Sequence, residues 1–185
     1  MNDAVLLSDP GALAALSHPF RRRMLDSLSA DGPSTVGMLA VRTGQAVGSI
    51  SHHMKVLAAA GLVSEVPELA RDRRERWWRR AASISWGGST DSPALRSAIE
   101  AATDVAFGRQ LQLFTEYRAN RESNTEWDDA SFASDGWLRL TPAELDRFGA
   151  EMAAVFYRWR DRQPPDDGES RESVFVFARG FPARP

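Results

Sequence analysis

The sequence predicts a mainly helical fold with a small β component, arranged as two domains. Apolar residues recur at helical spacing through most of the chain, whereas residues 62–66 alternate apolar and polar side chains, as a half-exposed strand does. Residues 74–80 follow as a second strand, so the two strands are expected to form a hairpin. Residues 87–90, rich in Gly, Ser and Thr, have the composition of a linker. We therefore expect domains at residues 8–82 and 92–182.

Capping residues predict the helix boundaries in the first domain. Asp9 is placed as the N-cap of a first helix, because a proline suited to the first helical position follows it. Pro19 opens a second helix, which the Asp-Gly-Pro sequence at residues 31–33 stops. A third helix begins after Thr35 and ends at Gly44, where glycine provides a left-handed cap.

The fourth predicted helix, over about residues 47–60, has two different faces. At 100° per residue one side is apolar and is expected to be buried; it carries Val47, Ile50, Met54 and Leu57. The opposite side is small, polar and basic, and carries Gly48, Ser51, His52 and Lys55. His53 lies at the flank of the apolar side, which favours a satisfied core imidazole over an outward contact.

Three helices, a fourth helix after a short turn, and then a hairpin follow the order of a winged helix-turn-helix domain. The second strand contains Trp77 and Trp78, which cannot both point inward because neighbouring side chains of a strand alternate between faces. One of them is expected to pack under the wing and the other against a neighbour.

This region resembles the ArsR-type winged-helix regulators. The resemblance covers about residues 8–82 and depends on motifs in a shared order: LSHPFR at 16–21, TVGMLA at 35–40, SISHHMKVL at 49–57, AGLV at 60–63 and WWR at 77–79. It implies binding to a double-stranded DNA operator as a homodimer, with repression that an effector relieves.

The charge distribution agrees with DNA binding. The whole chain has a net charge of −2, but residues 1–82 carry +3 and six arginines crowd into residues 71–80. A charge run is often only a solvated face, yet a hairpin that follows a helix-turn-helix favours phosphate contact. The candidate DNA-binding residues are Gly48, Ser49, Ser51, His52 and Lys55 on the fourth helix, and Arg71, Arg73, Arg74 and Arg76 on the hairpin.

The second domain is predicted to be a helical dimerisation domain with two short strands. A long helix over residues 93–119 carries two apolar stripes, more than one small domain can cover, so we expect a two-fold dimer through it. Residues 120–130 read as a loop, and residues 137–140 and 174–177 as strands. A capping box at Thr141–Glu144 starts a further helix, whose buried face is predicted to carry Leu145, Phe148, Met152, Val155 and Trp159.

Aromatic residues are dense in this second half. Such residues are more often core or dimer interface than ligand cage, but a small apolar or aromatic effector is a further candidate partner. The candidate effector-binding residues are Trp127, Trp137, Tyr157 and Trp159.

Other functions are disfavoured by what the sequence lacks. There is no cysteine, and the three histidines all lie in the first half, so no metal sensor and no cofactor are expected. We find no catalytic triad order, no phosphate-cradling glycine loop and no conspicuous pair of carboxylates, so we do not expect an enzyme.

No membrane-length apolar run or secretory signal is present, which predicts a cytoplasmic protein. The alternative function is a winged-helix protein-interaction or architectural module without an effector.

Overall fold

A computed structural model describes residues 5–72, 74–81, 84–86, 88, 90–120 and 125–184 of the chain. It divides into two compact units, residues 1–112 and 113–185. Helices dominate both units, and a small antiparallel sheet lies in the first, so the predicted fold class is confirmed. The domain limits at 8–82 and 92–182 stay predictions. Among the described residues, no helix combines the length and the apolar character that a membrane span needs.

In its described residues, the first unit contains four helices, five short strands and the first part of a long helix. The helices are α1 (Pro10–Leu16), α2 (Pro19–Ala30), α3 (Val36–Thr43), α4 (Val47–Ala59) and α5 (Pro93–Ala119). The strands are β1 (Val5–Leu6), β2 (Ser34–Thr35), β3 (Val63–Glu65), β4 (Trp77–Arg80) and β5 (Ile84–Ser85), with a short 3-10 helix at Pro67–Leu69.

Side-chain caps fix the starts of the first three helices, because the first backbone N–H groups of a helix have no partner within it. Asp9 accepts a hydrogen bond from the Ala12 N–H at 2.7 Å, as predicted, and Thr35 accepts one from the N–H of Met38. His18 caps α2 through its Nδ1, a role the sequence analysis did not assign. Gly44 ends α3 at a φ of 67°, which confirms the predicted left-handed cap.

The sheet has the strand order β2-β4-β3, with all pairs antiparallel. The β3–β4 pair is the predicted hairpin, in which Val63 lies opposite Arg80 and Glu65 opposite Trp78. Strand β4 begins at Trp77 rather than at residue 74, because Asp72 accepts hydrogen bonds from the N–H groups of Arg74 and Glu75 in a local turn. The third strand, β2, was not predicted. Separately, β1 and β5 form a parallel pair.

A single hydrophobic core joins α1 to α4 with the sheet. Its fully buried side chains include Leu13, Met24, Leu25, Leu39, Ile50, Met54, Leu57 and Leu62. Trp78, only 7% exposed, is the inward-facing tryptophan of β4. The start of α5 also packs on this core through Ala102, and its Arg109 forms an ion pair with Asp26 of α2 at 3.1 Å. The first part of α5 is therefore fixed to the helix-turn-helix region.

The second unit contains α6 (Thr125–Ala130) and α7 (Pro142–Arg160). The capping box that starts α7 is confirmed: Thr141 donates its N–H to Glu144 at 2.7 Å and accepts the Glu144 N–H at 3.3 Å. The loop predicted at 120–130 is wrong in its second half, where α6 lies. The strands predicted at 137–140 and 174–177 are also wrong, because both segments lie outside any strand.

The predicted buried face of α7 is not buried. Four of its five residues are 42–59% exposed, namely Phe148, Met152, Val155 and Trp159, and Leu145 is half-buried. None of the described side chains from 126 to 184 is buried. An amphipathic pattern shows which face of a helix is apolar, but not what covers that face, and a strand pattern likewise needs a neighbour to pair with.

Candidate nucleic-acid interface

Helix α4 is anchored by one face and exposes the other. Ile50, Met54 and Leu57 are at most 1% exposed, which confirms the predicted buried side. The opposite side is open to solvent: Gly48, His52 and Lys55 are exposed, while Ser49 and Ser51 are half-buried at its flanks. A rigid, buried anchor behind a polar outward face is the arrangement that a groove-reading helix requires.

The prediction that Val47 belongs to the buried side is wrong, because its side chain is 55% exposed. Val47 is the first residue of α4, and side chains lean toward the N-terminus of their helix. A residue in the first turn therefore leans past the end of the helix, here toward the exposed turn at Gln45 and Ala46.

The N-terminus of α4 has an open backbone. Ala46 occupies the N-cap and makes no side-chain cap hydrogen bond, while its carbonyl accepts the N–H groups of Ser49 and Ile50. Gly48 has an ordinary helical backbone, and a Cβ added to it would meet nothing within 4 Å. Neither conformation nor internal packing requires glycine at this position, so its small size leaves room outside the protein.

The three histidines lie near one another, but only one faces fully outward. His52 is exposed. The ring of His53 is half-buried, 4.8 Å from His18 and 5.1 Å from Phe20 between ring centroids. Burial lowers the pKa of His53, and the neighbouring His18 and Arg21 lower it further. Burial likewise lowers the pKa of His18. This geometry favours the interpretation of His53 as a core imidazole, but its buried Nδ1 has no hydrogen-bond partner among the described residues, so the prediction that the ring is satisfied is wrong.

The arginines of the hairpin fall into different environments. Arg71 and Arg74 are exposed, and their backbone N–H groups bind the carboxylates of Glu75 and Asp72. Arg76 is also exposed, but its Nη1 lies 3.1 Å from a carboxylate oxygen of Glu65. Arg73 lies outside the described residues.

Two later arginines serve the fold. Arg79 donates to the Ser64 hydroxyl across the hairpin. Arg80 donates to the Ser29 hydroxyl at 2.7 Å and so ties the hairpin to α2.

Sequence reasoning missed a cavity of about 450 Å³ beside the hairpin. Glu65, Asp72, Glu75, Arg76 and Trp77 line it, together with Pro67 and Ala70. Its three carboxylates are already engaged in the hairpin's own hydrogen bonds and ion pair, so they stabilise the loop. No local sequence pattern predicts this cavity, because its lining residues, from Glu65 to Trp77, come together only when the hairpin folds.

The candidate effector residues do not share one enclosed site. Trp137 is 69% and Trp159 is 59% exposed, while Trp127 and Tyr157 are half-buried. The guanidinium groups of Arg160 and Arg162 lie over the rings of Tyr157 and Trp159, at 4.7 and 4.3 Å. No ring contact joins the four candidates to one another in the described part of the second unit.

Within the described ranges, no three His, Asp or Glu side chains come together in a way that could hold a metal ion.

Comparison with known proteins identifies a domain in the region that contains α4. A family profile described as a helix-turn-helix domain matches residues 16–66, the region from the end of α1 past β3. The chain therefore contains a helix-turn-helix domain, and the hairpin that follows α4 makes it a winged one. No curated protein matches the chain.

Two solved structures resemble the chain at low similarity. One is a mutant of ZitR from Lactococcus lactis, with 14% identity over 76% of this chain and 73% of that one and a TM-score of 0.34. The other is the transcriptional regulator Tm0710 from Thermotoga maritima, with 16% identity over 78% and 80% and a TM-score of 0.32.

Proposed function

We propose that this protein is a sequence-specific DNA-binding transcriptional regulator that binds its operator as a homodimer. The observation that carries the proposal is the outward face of α4, where Gly48, His52 and Lys55 are exposed on a helix held by a fully buried apolar face. The proposal assigns no catalytic activity to the chain.

The outward face of α4 suits the major groove of DNA. This groove is wide enough for a helix and presents a different donor and acceptor pattern for each base pair. Ser49 and Ser51 supply hydroxyl groups, His52 an imidazole and Lys55 an ammonium group. Gly48 lets the helix approach closely, and the backbone N–H groups at the start of a helix can donate hydrogen bonds to a phosphate. We expect His52 and Ser49 to contribute most to base preference.

The hairpin supports α4 by contacting phosphates. Arg71 and Arg74 are exposed, and no ion pair within the described residues engages their guanidinium groups. Arg76 shares its charge with Glu65, so its contribution should be smaller. The sequence places Arg73 beside them. Each arginine that neutralises a phosphate releases a counterion, which makes affinity fall steeply with salt.

Helix α5 is the proposed dimer contact. Its first stripe packs on the winged helix-turn-helix, where Ala102 is buried in the core and Leu95 and Ile99 are partly buried against it. In its second stripe, Phe107, Leu111 and Phe114 are 43–51% exposed at i, i+4 and i+7 spacing. A second copy related by a two-fold axis would cover this stripe with its own and would place two α4 helices on one side of a duplex.

Regulation is proposed as repression relieved by a non-metal small molecule, in the manner of the ArsR-type regulators that the sequence resembles. The exposed aromatic side chains of Trp137 and Trp159 suit an apolar or aromatic ligand. Titration of candidate compounds, followed by tryptophan fluorescence and by release of bound DNA, tests this part separately. A ligand that quenches fluorescence without releasing DNA would contradict the regulatory role.

Selection from a random library tests the main proposal. Full-length protein is incubated with random-sequence duplexes at physiological salt, and the bound fraction is recovered and sequenced through several rounds. We expect a shared motif with two inverted half-sites about one helical turn apart. The double variant His52→Ala, Ser49→Ala should recover a different motif, whereas Arg74→Ala should recover the same one. A failure to enrich any motif would contradict sequence-specific binding and favour an architectural or protein-binding winged helix.

A further inference from the structure

The first turn of α4 carries an apolar side chain that the fold does not use. Val47 is 55% exposed, whereas its neighbours on the apolar side of the helix, Ile50 and Met54, are at most 1% exposed. Exposed apolar surface of this kind is favourable to bury, at a rate proportional to the area covered. An external surface that covered Val47 would therefore contribute favourable free energy of apolar burial to binding.

The position of Val47 places it at the leading edge of the proposed DNA-reading face. It lies four residues before Ser51, so the two side chains follow one another along the same side of the helix. Gly48 comes next in sequence and has open space where a Cβ would be. A glycine that neither its φ angle nor packing demands, beside an exposed valine, leaves room for an external surface to approach the helix closely.

The chemistry of valine selects one group in the major groove. Its two methyl groups neither donate nor accept hydrogen bonds, so they cannot recognise the polar edges of guanine, cytosine or adenine. The C5-methyl of thymine is the apolar group that unmodified DNA presents in this groove. We propose that Val47 is a specificity-determining residue that contacts the C5-methyl of a thymine in each half-site. This inference rests on the proposed function and deepens it, because it names a base that the operator contains.

Replacement of thymine by uracil tests the contact directly, because uracil lacks only the methyl group. The probe is the duplex selected by the full-length protein from the random library, with each thymine replaced in turn. For the natural protein we expect one position per half-site at which uracil weakens binding by about fourfold, the factor that corresponds to burial of one methyl group.

Two variants of Val47 and one control complete the experiment. Val47→Ala removes both γ-methyl groups and should bind the thymine and uracil duplexes with nearly equal affinity at that position, whereas Val47→Thr keeps one γ-methyl group and should retain part of the preference. Val41→Ala is the matched control: Val41 is 85% exposed but lies on α3, so the fourfold preference should persist. Circular dichroism checks that each variant is folded.

The outcomes separate this inference from the proposed function. If a motif is selected but no thymine is sensitive to loss of its methyl, or if Val47→Ala keeps the fourfold preference, the role of Val47 is wrong while DNA binding stands. If Val41→Ala abolishes the preference as Val47→Ala does, the effect is not local and the assignment also fails. If no duplex is selected at all, both fail.

Discussion

The two units of this chain differ in what they bury. The first has a continuous core of fully buried side chains that runs through α1, α2, α3, α4 and the sheet. The second has the short helix α6, the well-capped helix α7 and many aromatic side chains, but none of its described side chains from 126 to 184 is buried. Capping residues determine where a helix begins, and the amphipathic pattern determines which of its sides is apolar. Whether that side is buried depends on a packing partner elsewhere in the molecule, which local sequence does not specify.

Truncating one leucine to alanine in each unit should give the largest expected difference, which is in the free energy of unfolding. Leu57 is fully buried, so Leu57→Ala should lower the free energy of unfolding by about 2–5 kcal/mol through lost burial and the cavity left behind. Leu138 is 61% exposed, so Leu138→Ala should change it by less than about 0.5 kcal/mol. Urea denaturation followed by circular dichroism measures both. An equally large loss for Leu138→Ala would mean that the second unit is covered in solution, and the contrast would break down.

A charge placed on the second apolar stripe of α5 tests whether a second copy covers this stripe. We expect Leu111→Asp to convert a dimer to a monomer in sedimentation, because an aspartate would be desolvated in the contact. Affinity for a selected two-half-site duplex should fall by about a hundredfold or more, since binding through two linked sites is lost. Ala101→Asp, at an exposed position of the same helix, should change neither property. An unchanged mass for Leu111→Asp would exclude this stripe as the dimer contact.

The exposed arginines of the hairpin in the first unit should strengthen DNA binding through their charge. Arg74→Ala should lower affinity for all duplexes alike and reduce the slope of log affinity against log salt by about 1. Arg76→Ala should have a smaller effect because Glu65 already neutralises part of that charge, and Glu65→Gln should raise affinity slightly. Fluorescence anisotropy at several salt concentrations measures all three variants. Equal slopes for Arg74→Ala and the natural protein would remove Arg74 from the phosphate contacts.

The smallest expected effect is a pH dependence confined to the first unit, which contains all three histidines. The pKa of His53 is lowered in the folded state by burial, so the unfolded chain binds more protons between the two pKa values. The stabilising contribution is therefore complete above the unfolded pKa of about 6.5 and is lost as the pH falls through the folded value. Unfolding in urea at pH 7.5 and 5.5 should show this loss, and His53→Gln should reduce it. An identical pH dependence in His53→Gln would assign the effect to other groups.

Features determined by neighbouring residues were predictable, and features that need distant partners were not. Asp9, Gly44 and the Thr141–Glu144 capping box act within one helical turn, so sequence alone located them. The pairing of Ser34 with Trp78 joins residues far apart in sequence, and no local pattern indicates it.

In the candidate DNA-binding site, too, local features were predictable and features that need distant partners were not. The faces of α4 follow from periodicity, which assigned Ile50 and His52 correctly to the inside and the outside. Val47 was misplaced because periodicity treats the first turn as though it had a full helix before it. The ion pair between Arg76 and Glu65 depends on hairpin register, so sequence could count the arginines but not tell which are already paired.

The most direct test of the central claim compares the affinity of the full-length protein for two duplexes of equal length and composition. One carries the motif selected from the random library, and the other carries the same bases in scrambled order. If the outward face of α4 reads base pairs, fluorescence anisotropy at physiological salt should show the selected duplex binding about a thousandfold tighter. His52→Ala should reduce that ratio without a comparable loss of affinity for the scrambled duplex. Equal affinities for the two duplexes, or no binding to either, would contradict the account.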